Sequence, residues 1–447
     1  MNSSSSTKNR FSVLVIVMFL AVTGVLATDG YFSVGYGVQN KGVAGVGIAN
    51  WEYSLINGNP AGNFYLGKTY SIGFGLFNPY RQYTITGNPS MLPGTFGLAP
   101  GNVESDNKTF PNGYIGGNWM LNEKSSLAVS IFGNGGMNTT YRTRTYGDPN
   151  NQDTGVDLLQ IFTAVTYSTE IAPNHSLGFS GIFGYQAFEA KGLFNFGGFS
   201  SSPSNLTDNG DSNGSGFGFK VGYMGQLAEG LTLGASYQSK MWMGEFEEYA
   251  GLFAEEGDFD IPSSWTAGLK YGISEKVNVM LDVKQIFYSE VAAIANPLDV
   301  MANSPTDAMG NPNPAFNPLG SDGGWGFGWE DMTIVKFGIE FSPNEDWTFR
   351  GGYSYGKQPI PESEVLFNIL APGVIENHIA LGFSKGIGSN GQQLHFAFNY
   401  ALSTTVSGFN PLDFDPVASN PSTGSFVPNQ AIDLEMSQLD FEVGITF

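Results

Sequence analysis

Few residues in this 447-residue chain are equipped for covalent chemistry, since it has no cysteine and three histidines, His175, His378 and His395. A hydrolase needs a nucleophile, a base to activate it and a third group to orient the base. His175 falls in a short turn. His378 and His395 fall on the same face of neighbouring alternating segments, about three residues apart in register and so roughly 10 Å from each other. No serine nucleophile motif is read beside them, which leaves catalysis the weakest class of function.

Charged groups are more suggestive. Lys270, Asp282, Lys284, Lys336, Glu340 and Arg350 lie on the polar side of segments that are otherwise apolar. Mixed signs at such positions fit a buried ionic network, and a substrate carboxylate is a second partner for Lys284, Lys336 or Arg350. The acidic run Glu245, Glu247, Glu248, Glu255, Glu256, Asp258 and Asp260 carries the oxygens calcium prefers but lacks a recognisable loop spacing. A solvated loop is the better reading, and no metal or cofactor is expected. Phe194, Phe196, Phe199, Trp242, Phe246 and Phe253, with Met241 and Met243, fall in two long connections or at the strand end that leads into one. Phenylalanine and methionine there suit the capture of varied apolar ligands; girdles or the loops' own small cores are the alternative.

The elements that position these groups are short alternating segments. Leu177, Phe179, Phe183 and Tyr185 alternate with small or polar residues, as do Val277, Val279, Leu281 and Val283, and Leu394, Phe396, Phe398 and Tyr400. A strand with one face in lipid and one in a lumen has this pattern over about ten residues. The pattern predicts fourteen strands, near 68–77, 113–121, 125–133, 157–168, 175–189, 215–226, 231–243, 263–272, 276–289, 331–341, 346–355, 375–385, 391–403 and 434–447. Connections between them alternate short and long, which places both chain ends on the short-turn side. The expected fold is therefore all-β, a 14-stranded antiparallel transmembrane barrel.

Composition agrees. Charged residues make up 13% of the chain, against the usual quarter or so. Glycine (61) and phenylalanine (36) are heavily used. A net charge of −21 argues against nucleic acid as a partner. Lys8 and Arg10 precede an apolar run and small residues, which reads as a secretory signal peptide over 1–27. No later segment holds roughly 18 uninterrupted apolar residues.

Residues 28–67 differ from all the rest. They are crowded with glycine and alanine, lack alternation and end at Asn59-Pro60-Ala61, a turn because proline pushes the preceding residue out of the helical region. A small irregular segment before many strands reads as a plug inside the barrel of 68–447; a flexible arm is the alternative.

This order of features resembles the FadL/TodX family of outer-membrane transporters. The resemblance rests on the glycine-rich segment closing on Asn59-Pro60-Ala61, on fourteen strands, and on Trp347-Thr348-Phe349-Arg350-Gly351-Gly352-Tyr353 followed by Pro359-Ile360-Pro361. It implies a multi-pass protein of the bacterial outer membrane that takes up long-chain fatty acids or aromatic and aliphatic hydrocarbons. It further implies outer-face capture, an N-terminal hatch, and lateral release through a kinked third strand. Here Gly133, Gly135 and Gly136 fall where that strand would bend. Around Asn50-Trp51-Glu52 the sequence departs from the family, so the hatch is expected to pack differently there. The last segment alternates down to Phe447, as outer-membrane barrels commonly do, implying recognition by the barrel-assembly machinery, with membrane lipid and lipopolysaccharide as surroundings. A general diffusion porin is the rival reading, and an empty lumen would favour it.

Overall fold

A computed structural model describes residues 29–92, 95–306, 311–388, 391–415, 419 and 427–447. The expected signal peptide lies outside the described residues. Fourteen strands among them form the wall. They are β1 (Thr69–Thr86), β2 (Phe110–Asn122), β3 (Ser125–Asn138), β4 (Gly155–Ala172) and β5 (His175–Lys191). Next come β6 (Ser212–Ala228), β7 (Leu231–Gln238), β8 (Ser264–Ser274), β9 (Val277–Ile286) and β10 (Met332–Asn344). The last are β11 (Trp347–Gly356), β12 (Asn377–Ile387), β13 (Gln392–Phe409) and β14 (Ala431–Thr446). Each pairs antiparallel with the next, and β14 pairs with β1 from Ser71↔Thr446 to Thr86↔Ala431, so the sheet closes on itself. Closure removes the edges that a spanning sheet cannot leave unpaired in lipid.

Alternation sorts the side chains as the sequence predicts. On β10, Val335, Phe337, Ile339 and Phe341 are exposed on the outside, while Lys336 and Glu340 between them are buried. On β5, Leu177, Phe179, Phe183 and Tyr185 face out and Ser176, Ser180 and Gln186 face in. No helix among the described residues is long and apolar enough to cross a membrane; the strands do so.

Several boundaries differ from expectation, among them the far ends of β3 (Asn138, not 133) and β13 (Phe409, not 403); two others have a clear physical cause. β1 runs on from Phe77 to Thr86, straight through Pro79, because Pro79 keeps its place opposite Gln438 of β14. By then β2 has left the other side of β1, its last partner there being Phe77↔Phe110, and a strand edge tolerates a residue without an N–H. At the other boundary β7 stops at Gln238, short of Met243, and Trp242–Met243 turns back to pair with β6.

Residues 29–67 contact inward-facing positions around much of the ring, which places this leader segment inside the wall. Wall glycines permit the approach. A Cβ on Gly352 of β11 would stand 2.2 Å from the Val43 carbonyl carbon, and one on Gly178 of β5 would stand 2.2 Å from that of Pro60. Within the leader, Gly45 holds φ at 77°, a left-handed conformation that glycine adopts without strain.

At the end with the long connections, the loops fold over the ring around a shared aromatic core. Phe196 stacks on Phe96 at 4.7 Å and meets Tyr146, Trp325 and Phe367 edge-on, joining five separate stretches of chain.

Candidate functional site

Pairing in the wall breaks off between β2 and β3. β2 and β3 pair from their shared turn up to Tyr114↔Phe132 and then part. Beyond that point β2 stays on β1 as far as Phe110, and β3 stays on β4 as far as Asn138↔Asp157. The parting coincides with a bulge, because Gly133 and Gly135 face consecutive residues of β4 and Asn134 is the extra one. An extra residue bends its strand and twists it from its neighbour. The opening is bounded above, where the Asp106 N–H donates to the Thr140 carbonyl at 2.8 Å.

The leader takes the place β2 gives up. Ser33 N–H donates to the Asn134 carbonyl at 3.2 Å, and Gly136 N–H donates to the Tyr31 carbonyl at 3.0 Å. The Asn134 side chain, fully buried, accepts from the Tyr36 hydroxyl at 2.8 Å and donates to Gln160 at 2.9 Å. Buried backbone groups left by the bulge are satisfied by the leader rather than by solvent.

Charges inside the wall hold the leader at several points. Lys336 reaches Asp29 at 2.9 Å and the Val34 carbonyl at 2.6 Å, and Lys284 reaches Asp29 at 3.1 Å. Asp282 accepts from the Gly47 and Ile48 N–H groups at 2.7 and 2.9 Å. Glu340 accepts from the Tyr53 hydroxyl and from Arg350 at 2.9 Å. Opposite them, Lys41 of the leader sits 2.8 Å from Asp440 and 2.6 Å from Glu442. Each cation that the sequence offered to a substrate carboxylate, Lys284, Lys336 and Arg350, already has a protein carboxylate beside it.

Asn59-Pro60-Ala61 closes this segment as a nested turn. Asn59 accepts from the Ala61 N–H at 3.1 Å and donates to the Ile48 and Tyr223 carbonyls, while Ser168 and Ser176 of the wall both donate to the Ala61 carbonyl at 2.9 Å. Between leader and wall is a cavity of about 80 Å³ of mixed lining, with Asn134, Lys220, Asp282, Lys284 and Lys336 beside Phe32, Ile48 and Ile286.

A family model described as "Outer membrane protein transport protein (OMPP1/FadL/TodX)" matches residues 36–408. The chain belongs to that family. Solved FadL/TodX-type structures share its fold. The P. putida toluene transporter TodX is 15% identical with a TM-score of 0.63, over 92% of this chain and 98% of its own. A Pseudomonas aeruginosa FadL homologue is 14% identical with a TM-score of 0.63, over 94% and 99%. The Ralstonia pickettii toluene transporter TbuX is 16% identical with a TM-score of 0.56, over 92% and 98%. No curated protein sequence matches. Membership in the OMPP1/FadL/TodX family, with the closed 14-strand barrel, places the protein in the bacterial outer membrane as a multi-pass transport protein.

The loop aromatics separate into three environments. Phe196, Phe246 and Phe253 are buried in loop cores, Phe246 and Phe253 around Phe188; Phe199 is half-buried against Trp325. Phe194 is exposed, and Trp242 lies against outward-facing Phe217 on the outer surface of the wall. In the acidic run, Lys240 pairs with Asp260 at 2.7 Å, and no group of three or more ligating side chains suited to a metal occurs among the described residues.

Two readings of the histidines need correction. His395 lies opposite Ser384, six positions along β12 from His378, which puts the two imidazoles roughly 20 Å apart rather than 10. Gly352-Tyr353-Ser354-Tyr355-Gly356 does have nucleophile-elbow spacing, and Ser354 faces His378 across the ladder. It lies along a strand, however, not at a strand-to-helix turn, and neither the Ser354 hydroxyl nor either His378 ring nitrogen has a hydrogen-bond partner.

Sequence reasoning missed two inward cations of the wall, Lys220 of β6, which donates to the Asn57 carbonyl at 2.7 Å, and Arg81 of β1. Arg81 is buried beside the opening between β2 and β3. Its Nη1 donates to the Asn138 carbonyl, its Nη2 to the Asn107 carbonyl, and its guanidinium lies over the Phe110 ring at 5.4 Å.

Proposed function

We propose that the chain carries hydrophobic small molecules, fatty acids or hydrocarbons, from the outer face into the membrane by way of the opening between β2 and β3, rather than acting as a catalyst or an open pore. The observation that supports it best is the parting of those strands at the Asn134 bulge, with the leader filling the place of the lost partner. Residues 28–67 are then the hatch domain, the Asn59-Pro60-Ala61 turn its fixed end, and Gly133, Gly135 and Gly136 the flexible edge of the gate. Asp282, Lys284, Lys336, Glu340 and Arg350 hold the hatch in the lumen. Phe194 is the exposed member of the capture surface, with Phe199 at its margin, and Phe196, Phe246 and Phe253 stiffen the loops that present it. Phe447 marks the strand read by the assembly machinery, and lipid and lipopolysaccharide surround the wall.

An apolar solute gains about 0.8 kcal/mol per CH₂ removed from water, so a path from an apolar pocket sideways into lipid avoids an uphill return to the periplasm. Deleting Asn134 tests the gate, since removing the extra residue lets β3 resume its pairing with β2. Uptake of radiolabelled toluene and dodecane by cells should fall to the level of a knockout while the barrel stays folded on heat-modifiability gels. Unchanged uptake would rule out this route.

A further inference from the structure

We infer that the cavity between leader and wall is a binding site for one small inorganic monoanion, a halide, held by the Lys220 ammonium and the donors beside it. The inference rests on the leader's seat inside the barrel and is independent of what the protein carries. Three ammonium groups face the cavity, those of Lys220, Lys284 and Lys336, against one lining carboxylate, Asp282. A second carboxylate, Asp29, lies behind the lining and pairs with Lys336 at 2.9 Å and Lys284 at 3.1 Å. Three cations against two anions leave one positive charge over. It falls on Lys220, which is buried and has no carboxylate within ion-pair distance among the described residues. Its partners are the Asn57 backbone carbonyl at 2.7 Å and side-chain oxygen at 3.3 Å, both uncharged. An ammonium withdrawn from water in that state carries a desolvation penalty that a counter-ion relieves.

The neighbouring strands supply the rest of the shell. Lys220 of β6 pairs across the ladder with Gln238 of β7, which pairs in turn with Ser264 of β8. One step along, Ser236 of β7 pairs with Thr266 of β8, which pairs with Lys284 of β9. All six side chains line the cavity as a continuous band across four strands. None of the Ser236, Gln238, Ser264 and Thr266 side chains has a hydrogen-bond partner within the protein. The acceptors nearby are engaged: Asp282 receives the Gly47 and Ile48 N–H groups, and the Val34 carbonyl receives Lys336. Free hydroxyl and amide donors beside a surplus positive charge suit an anion. Size and charge narrow its class. About 80 Å³ holds an ion with a few waters, at roughly 10–15 Å³ each, and has no room for a hydrocarbon tail. A monoanion cancels the surplus, whereas a dianion would reverse it. Because Lys220 also grips Asn57 of the leader, an anion that steadies this lysine tightens the leader against the wall.

The test uses chloride and bromide on the full-length protein in detergent micelles. At fixed ionic strength, chloride is exchanged stepwise for gluconate, which is too large to enter. Protection of the leader from protease should rise saturably with chloride in the wild type. Lys220→Met should raise the half-saturating chloride concentration by about tenfold or more, as expected for a lost charge-assisted contact. Thr266→Val, which keeps every charge, should raise it by about threefold. Crystals grown in sodium bromide should show an anomalous peak in the cavity beside Lys220. Equal protection in chloride and gluconate, or bromide found only outside the cavity, would overturn the inference. So would an unchanged chloride dependence in both variants, which would mean an adventitious ion only. The wild-type titration and the bromide peak decide the matter even if Lys220→Met does not fold.

Discussion

Replacing Gly352 with alanine should dislodge the leader without harming the wall. A Cβ at this position would stand 2.2 Å from the Val43 carbonyl carbon and oxygen and 2.6 Å from its Cα, all backbone atoms, where ordinary contact begins near 3.4 Å. Something must therefore yield by roughly 1 Å, at a cost of about 1–3 kcal/mol typical of an overpacked interior. The wall is the stiffer partner, because Gly352 is held in the ladder between Gly338 and Ala380. The leader is the softer one, and its displacement would pull on the Lys41 pairs two residues away. Gly351 supplies the control. It lies on the same strand facing outward, and a Cβ there meets nothing closer than the Leu381 side chain at 3.8 Å. Single-channel recording in planar bilayers should find Gly351→Ala as tight as wild type and Gly352→Ala leaky, with protease cutting the leader in the second only. Identical conductance and proteolysis in the two variants would refute the idea that the leader and wall are in tight contact there.

Two further outcomes follow from the loops. Phe196→Ala should remove the centre of the loop core and lower the stability of that cap by about 3–5 kcal/mol, read as faster proteolytic nicking between 190 and 214 with the barrel intact. Burial, and then the neighbouring Asp260 charge, push the Asp258 carboxyl up to about 7. The folded loop thus keeps a proton that an unfolded one releases near pH 4, so its stabilisation is full below that and fades as pH rises through about 7. Hydrogen-exchange protection factors across 254–260, in which the base-catalysed rise of the intrinsic rate is divided out, should be lower at pH 8 than at pH 5, and Asp258→Asn should flatten that difference.

All fourteen strands were legible because period-2 parity is imposed by the two solvents a barrel strand meets, lipid and lumen. The ionic residues were legible for the same reason: Lys336 and Glu340 interrupt an apolar strand at the inward parity and have few other places to go. Arg81 was not, because Pro79 ended the alternating pattern and consigned 78–112 to a loop. The pairing across the closing seam, through Pro79↔Gln438 and on to Thr86↔Ala431, shows that β1 continues. The aromatic loops were opaque for a related reason. Whether Phe196 is a surface anchor or a core residue depends on Phe96, Trp325 and Phe367, which come from distant stretches of chain that leave no local trace.

The Lys41 pairs bear on how the molecule is made. This lysine meets Asp440, 399 residues further along the chain, so its partner is among the last parts to be synthesised. Until then the amine and the two acids remain hydrated and apart. Their union can happen only when the circle is joined, which makes it a late-locking clasp. A chain stalled before that moment would hold its front end loosely, and quality-control proteases would have a means to tell unfinished molecules from finished ones.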